Sequence, residues 1–227
     1  MIKFENTEVM GWESAIRGMR NPMNSWEKSD SRWEPQFDTE TGPCHGFFVI
    51  GPNDLNLMAR LRNAGTDHRK FMRMITVYVD ITAPLYWWKE FDTYKVGTVA
   101  NSCSTMHKIA AKEFTPEDFS HEHLFTEENL RYEAEPDSLK LLNTIINALN
   151  VYRLAYLEEG DKSIWWQMIQ LLPSSYNQRR TVMLNYEVLA NIYKSRKNHK
   201  LDEWSVGFME WIESLPYSEL ITGEEKK

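Results

Sequence analysis

Cysteine is scarce in this chain: among 227 residues only Cys44 and Cys103 carry a thiol, and they form no Cys-x-x-Cys pair. Two isolated thiols exclude a disulfide framework and a cysteine-rich zinc site, and they fit a reducing compartment, so a cytoplasmic protein is expected. Long apolar runs are missing as well. The most apolar stretch, residues 74–88, is broken by Asp80 and Pro84 and is too short to cross a bilayer, and the N-terminus lacks a secretory pattern. There is no long basic run, and the net charge is −7, which argues against nucleic acid as a partner while leaving room for a local basic pocket. Internal repeats and low-complexity tracts are absent too.

What the chain has is aromatic mass. Nine Trp, ten Tyr and ten Phe in a composition 42% hydrophobic are far too much apolar surface for a disordered chain. At this length a single domain over residues 1–227 is expected. Turn formers concentrate at 21–43 and 114–136, which read as long loops. Between them, Gly51-Pro52 opens and Gly65 closes a helix of about three turns carrying Leu55, Leu57, Met58 and Leu61. Ile75, Val77, Val79 and Ile81 then alternate with more polar neighbours, the period of a half-buried strand, with 46–50 as its expected partner. Pro84 reads as a first-turn residue of a helix whose stripe of Leu85, Trp87, Trp88, Phe91 and Tyr94 is core packing. Apolar spacing predicts further helices over 136–157, 164–172, 180–196 and 202–215. The fold class that follows is α+β, mostly helical with a small antiparallel or mixed sheet.

Few residues carry chemistry on their own. His121-Glu-His123 is the one close histidine pair, and its setting, Pro116-Glu-Asp-Phe-Ser-His-Glu-His, reads as an exposed acidic loop, so no metal is expected. Cys103 sits in Asn101-Ser-Cys-Ser-Thr-Met-His107-Lys108, where a bland cysteine is preferred over an activated thiol. That stretch is hydroxyl-rich and basic at its end, as a phosphate-holding loop is, and a solvated turn accounts for it almost as well. On the helix near the C-terminus, Asn185 and Arg196 are eleven apart, which returns them to one stripe, while Asn191 and Glu187 share another face.

Read in order, these blocks resemble the flavin-dependent thymidylate synthases. Val9-Met-Gly-Trp-Glu-Ser-Ala-Ile-Arg17-Gly-Met-Arg20 resembles that family's opening strand and helix. Residues 55–68, ending Gly-Thr-Asp-His68, resemble its next helix and histidine-bearing segment. Leu172-Pro-x-x-Tyr176, Asn185-x-Glu187-x-x-x-Asn191-x-x-x-x-Arg196 and Asp202-Glu-Trp204 resemble its C-terminal signature, Asn-x-Arg-x-x-x-Asn-x-x-x-x-Arg, without a gap. The family's Arg-His-Arg, seven residues, then Ser, falls on Thr93-Tyr94-Lys95, where only Lys95 keeps a positive charge. Cys103 or Ser104 then takes the Ser position. Glu187 stands where the family has Arg, and an early Arg-x-Ser reads Arg20-Asn-Pro22. These departures cluster where the family holds its flavin, so weakened cofactor binding is expected, with Arg at 93 and 187 as the restoring substitutions.

The resemblance implies a flavin-dependent nucleotide methyltransferase of the thymidylate synthase type. In that chemistry methylenetetrahydrofolate supplies one carbon to C5 of dUMP, with FAD as cofactor and NADPH as reductant. His68, Tyr94, Lys95, Asn185 and Asn191 would line the flavin, and Ser104, Lys108 and Arg196 would hold the pyrimidine deoxynucleotide. The family's assembly, a homotetramer with sites built between subunits, suits the aromatic surplus. Two other readings stay open: a related flavoenzyme modifying another pyrimidine nucleotide, and a non-catalytic nucleotide-binding protein on the same scaffold.

Overall fold

The computed structural model describes residues 2–38, 42–132 and 135–223, with side chains described except at 36–38 and 42–45; Cys44 thus lies outside the described side chains. The architecture is α+β and mostly helical. In chain order, β1 (Lys3–Met10) leads into α1 (Trp12–Arg20), and β2 (Arg32–Asp38) and β3 (Gly42–Val49) precede α2 (Pro52–Asn63). A 3-10 segment, Arg69–Met74, leads to β4 (Thr76–Pro84) and α3 (Leu85–Phe91), followed by β5 (Val99–Ser102) and α4 (Thr105–Lys108). The long α5 (Ser138–Glu159) and α6 (Lys162–Leu171) come next, then β6 (Asn177–Asn185) and α7 (Tyr186–Arg196). A π-helical turn, Glu203–Phe208, runs into α8 (Met209–Ser214), and α9 (Glu219–Thr222) ends the described chain. No described helix is long and apolar enough to cross a membrane.

Four expectations are corrected here. Residues 180–196 are not one helix: 177–185 form β6, in a four-stranded sheet of order β1-β4-β6-β5. Val182 and Leu184 are buried while Thr181 is exposed, a period of two that the helical spacing of α7 immediately after it obscured. Nor does 46–50 pair with β4. It belongs to β3, which pairs antiparallel with β2 in a separate two-stranded sheet, Trp33 opposite Phe48, with a register shift between Glu34 and Gln36 around Pro35. The segment 21–43, expected as a loop, thus holds two 3-10 turns and the first strand of a hairpin. Pro84 closes β4 instead of entering α3.

The chain forms two compact units. The first gathers Met1–Glu5, Asp80–Thr93 and Ala100–Thr181. Its core packs Leu142, Ile146 and Leu149 of α5 and Met168 of α6 against Ile109, Phe114 and Phe119. The helices start where the sequence places Asp caps: the Asp137 carboxylate accepts from the Lys140 N–H at 2.7 Å and that of Asp161 from the Ser163 N–H at 2.7 Å. Trp87 and Phe91 stack at 5.1 Å, with Trp88 edge-on to both, so these three rings are core as expected, whereas Tyr94 lies past the end of α3 and belongs to the second unit.

The second unit gathers Asn6–Val79, Tyr94–Val99 and Val182–Lys227. Met58, Met72, Ile75, Val77, Tyr186, Leu189, Trp204 and Phe208 are fully buried in it. Trp12 meets Tyr186 and Tyr217 edge-on at 5.2 Å. Gly11, in the Val-Met-Gly opening, has φ +93°, and a Cβ there would lie 2.1 Å from the Met74 carbonyl oxygen. Only glycine allows that approach of α1 to the 3-10 segment.

Candidate functional site

In the first unit, Cys103, Ser104, Thr105 and Lys108 line a cavity of about 240 Å³ together with Tyr176, Gln178 and Arg179. Backbone pairing sets its wall: the Cys103 N–H donates to the Arg179 carbonyl at 3.2 Å. Gln178 Nε2 donates to the Cys103 carbonyl at 3.0 Å and to Thr105 Oγ1 at 3.1 Å. Ser104 caps α4, its Oγ accepting from the His107 N–H at 3.3 Å, which leaves the hydroxyl hydrogen free to donate. Two of the three cations here are engaged by carboxylates: Lys112 with Asp118, and Arg179 with Asp80 at 2.8 Å and Glu5 at 3.1 Å. Lys108 is exposed and meets no carboxylate among the described residues. Burial holds the Tyr176 phenol above its ordinary value, so it stays protonated and can donate. The cavity thus offers hydroxyl donors and the Lys108 ammonium, and the carboxylates of Glu117 and Asp118 line it as well.

In the second unit, Tyr94 meets Arg196, and Asn185 lies at the other end of the same helix, α7. Asn185, nearly buried, caps α7 by accepting from the Val188 N–H at 3.0 Å. Arg196 at the far end of that helix donates from Nε to the Tyr94 hydroxyl at 2.8 Å, and its guanidinium lies 5.0 Å from the Trp204 ring. Gly97, with φ +79°, brings the segment after Tyr94 against α7, where a Cβ would meet Asn185 Nδ2 and Val188 Cγ2 at 3.0 Å. Lys95 is exposed beside it.

The other face of α7 carries Glu187 and Asn191, as their spacing predicts, and both meet the 3-10 segment. Arg69 donates from Nε to Glu187 Oε1 at 3.4 Å and from Nη2 to Asn191 Oδ1 at 3.0 Å. Arg73 donates from Nε to Glu187 Oε2. His68, exposed, precedes Arg69. The Glu187 side chain is only 10% exposed, and that of Arg73 is 60% exposed.

Most of the residues singled out in the sequence therefore fall into these three clusters. Ser104 and Lys108 share the first, whereas Arg196, expected with them, belongs to the unit of Tyr94 and Asn185. Arg69, Arg73, Gln178 and Arg179 were missed. They precede or begin strands in stretches without a motif, and only chain folding brings them to the candidate residues. Arg20, matching the family's early Arg, is buried and structural: its Nε donates to Asp54 at 2.7 Å. His121 Nδ1 lies 2.8 Å from the Phe119 carbonyl oxygen, and no group of three or more His, Cys, Asp or Glu among the described residues is placed to hold a metal ion.

No family model and no curated protein matches this sequence. Solved structures do. Thymidylate synthase X (ThyX) from Helicobacter pylori, crystallised with FAD and dUMP, has a TM-score of 0.66 at 17% identity, covering 98% of both chains. A second structure of that enzyme, described as a flavin-dependent thymidylate synthase complexed with FAD and dUMP, gives 0.66 at 18% identity, over 98% of this chain and 100% of the other. A UMP/dUMP methylase, PolB from Streptomyces cacaoi, bound with 5-Br UMP, gives 0.60 at 14% identity over 98% and 94%. The chain has the fold of the flavin-dependent thymidylate synthases.

Proposed function

We propose that this protein is a flavin-dependent enzyme of pyrimidine nucleotides, transferring one carbon reductively from methylenetetrahydrofolate to C5 of dUMP with FAD and NADPH. The observation that carries the reading is a fold shared over 98% of the chain with proteins crystallised with FAD and dUMP. Asn185, Asn191 and Arg196 stand in the order and spacing of the family's C-terminal signature.

The residues present fit the cofactor. Two guanidiniums, Arg69 and Arg73, face a single carboxylate, Glu187, so the cluster keeps an excess positive charge suited to a diphosphate. His68, Tyr94, Lys95, Asn185 and Asn191 are the residues we assign to holding FAD, which when bound supplies the hydride chemistry. Ser104 and Lys108 are assigned to the nucleotide, with Tyr176 as a further donor toward its carbonyls, where charge develops as the ring is activated for bonding of C5 to the one-carbon unit. Arg196 is assigned to the substrate phosphate, with its orientation set by Tyr94 and Trp204. A homotetramer sharing sites between subunits, in the cytoplasm, completes the reading.

Likeness to a UMP/dUMP methylase favours a second reading, in which the ribonucleotide is the substrate. One set of measurements tests both: the visible spectrum of the protein with added FAD, and calorimetry with dUMP and UMP. Perturbed flavin absorption with binding of dUMP alone supports the synthase. Binding of UMP with equal or greater affinity moves the assignment to the methylase. Absence of binding by flavin and by both nucleotides removes both.

A further inference from the structure

Glu187 is the departure that should most disfavour an anionic cofactor, because the resemblance places arginine there. A bare carboxylate at that position would repel a diphosphate. This carboxylate is not bare: it is nearly buried between Arg69 and Arg73, residues 118 and 114 positions away in sequence. Arg69 is held twice, by Glu187 and by the Asn191 amide oxygen at 3.0 Å. Arg73 spends only Nε on Glu187, and among the described residues its terminal nitrogens meet no acceptor. Lys70 lies exposed between them in sequence, and Arg62 is close enough for Arg69 to repel its charge, so the surroundings are basic. Asp67 is the other carboxylate whose charge reaches Arg73.

We propose that the positive charge absent at position 187 has been transposed to Arg69 and Arg73, and that Glu187 is the positioning residue that aims them at a phosphate or diphosphate group. The inference deepens the flavin reading and rests on it for the source of the phosphate. The chemistry alone, two guanidiniums fixed by one carboxylate with a fork left open, is that of an oxyanion site. It reverses what the departure from the family spacing suggests by itself. An arginine at 187 would put a third guanidinium beside Arg69 and Arg73 and remove the carboxylate that aims them, leaving Asp67 as a more distant counter-charge.

The test is a fluorescence titration of the full-length protein with FAD and with riboflavin, which has no phosphate, alongside calorimetry with pyrophosphate. The variants are Arg73→Ala, Glu187→Gln and Glu187→Arg, with circular dichroism checking the fold of each. Arg73 is largely exposed, so Arg73→Ala keeps the test alive if the Glu187 variants do not fold. Arg73→Ala is expected to weaken FAD and pyrophosphate about 10- to 100-fold, the range for a charge-assisted hydrogen bond, and to leave riboflavin unchanged. Glu187→Arg is expected to weaken FAD as well, and Glu187→Gln to do so to a smaller extent. A parent that binds pyrophosphate through Arg73 but no flavin upholds the oxyanion site and removes the flavin reading. A parent that binds FAD with an affinity indifferent to Arg73→Ala, or tightened by Glu187→Arg, upholds the flavin reading and overturns this inference. Binding of neither FAD nor pyrophosphate overturns it too.

Discussion

At the scale of single residues, Asp54 shows how a polar group is retained in a core. It is fully buried, and it accepts from Arg20 Nε at 2.7 Å, Ser29 Oγ at 2.7 Å and Ser31 Oγ at 2.6 Å. Burial pushes its carboxyl upward, but the hydrogen bonds of Ser31, Ser29 and Arg20 outweigh that and hold it below the usual carboxylate value. Arg20 in turn reaches the carbonyls of Ser25 and Lys28, so one pair ties the end of α1 to the following turns and α2. Asp54→Ala leaves a buried guanidinium without its counter-charge and is expected to cost about 3–5 kcal/mol in chemical denaturation. The pH dependence follows from the sign of the shift. Protonation is easier in the unfolded chain, so the carboxylate's contribution is complete above about pH 4 and is lost as pH falls through the lower native value. Asp54→Asn should therefore flatten the acid side of the stability profile. An unchanged profile would show that Asp54 does not set it.

Lys108 and Arg196 separate a binding role from a structural one at the same scale. Lys108 is exposed, so Lys108→Ala should leave the melting temperature unchanged while weakening dUMP by about 1.5–3 kcal/mol in calorimetry. Arg196→Ala should weaken dUMP by a similar amount and also destabilise the fold, because its guanidinium packs on Tyr94 and Trp204. Wild-type affinity in both variants would return these side chains to surface and packing roles.

Among the elements, α1 depends on one backbone conformation. Gly11 lies in the left-handed region with a carbonyl where a side chain would begin, so Gly11→Ala combines steric clash with an unfavourable φ. A loss of at least about 2 kcal/mol in denaturant unfolding is expected. The elements also show where local pattern suffices. The early Pro and late Gly bound α2, the Asp caps start α5 and α6, and the apolar spacing of α5 spans nearly its whole length. β6 was illegible because nine residues of strand merge without a turn into α7, and Asn185 ends one element while capping the other. The hairpin was hidden for a different reason: Pro35 and flanking turn formers give the composition of a loop, and pairing across strands is not written in either strand alone.

For the whole molecule, the aromatic surplus is largely absorbed by the two cores, yet apolar surface remains on the first unit. Val151, Leu154 and Leu157 follow one another every three residues along α5 and are exposed, as are Trp166 and Leu171 of α6. We assign this exposed apolar stripe to contact with a second copy in the proposed homotetramer. Light scattering at micromolar concentration is expected to give four subunits for the parent and a smaller assembly for Leu154→Glu. A stable parent monomer would dismantle the shared-site assignment.

The sequence by itself determined the helices α2, α5 and α6, the strand β4, the aromatic core of α3 and the order of blocks that pointed to the fold, because periodicity and caps act over a few residues. It also placed Glu187 and Asn191 on one helical face, a consequence of helix geometry alone. Tertiary structure decided what that face meets. The charge of Glu187 reads as a defect beside Asn185 and Arg196 in the linear chain, and as half of an ion-pair cluster once Arg69 and Arg73 are brought against it. The same holds for Arg20, which in the linear chain reads as the remnant of a departed Arg-x-Ser and in the fold is the buried partner of Asp54. Electrostatic partners are chosen by distance in space, and the chain must close loops of 34 to 118 residues before those distances exist.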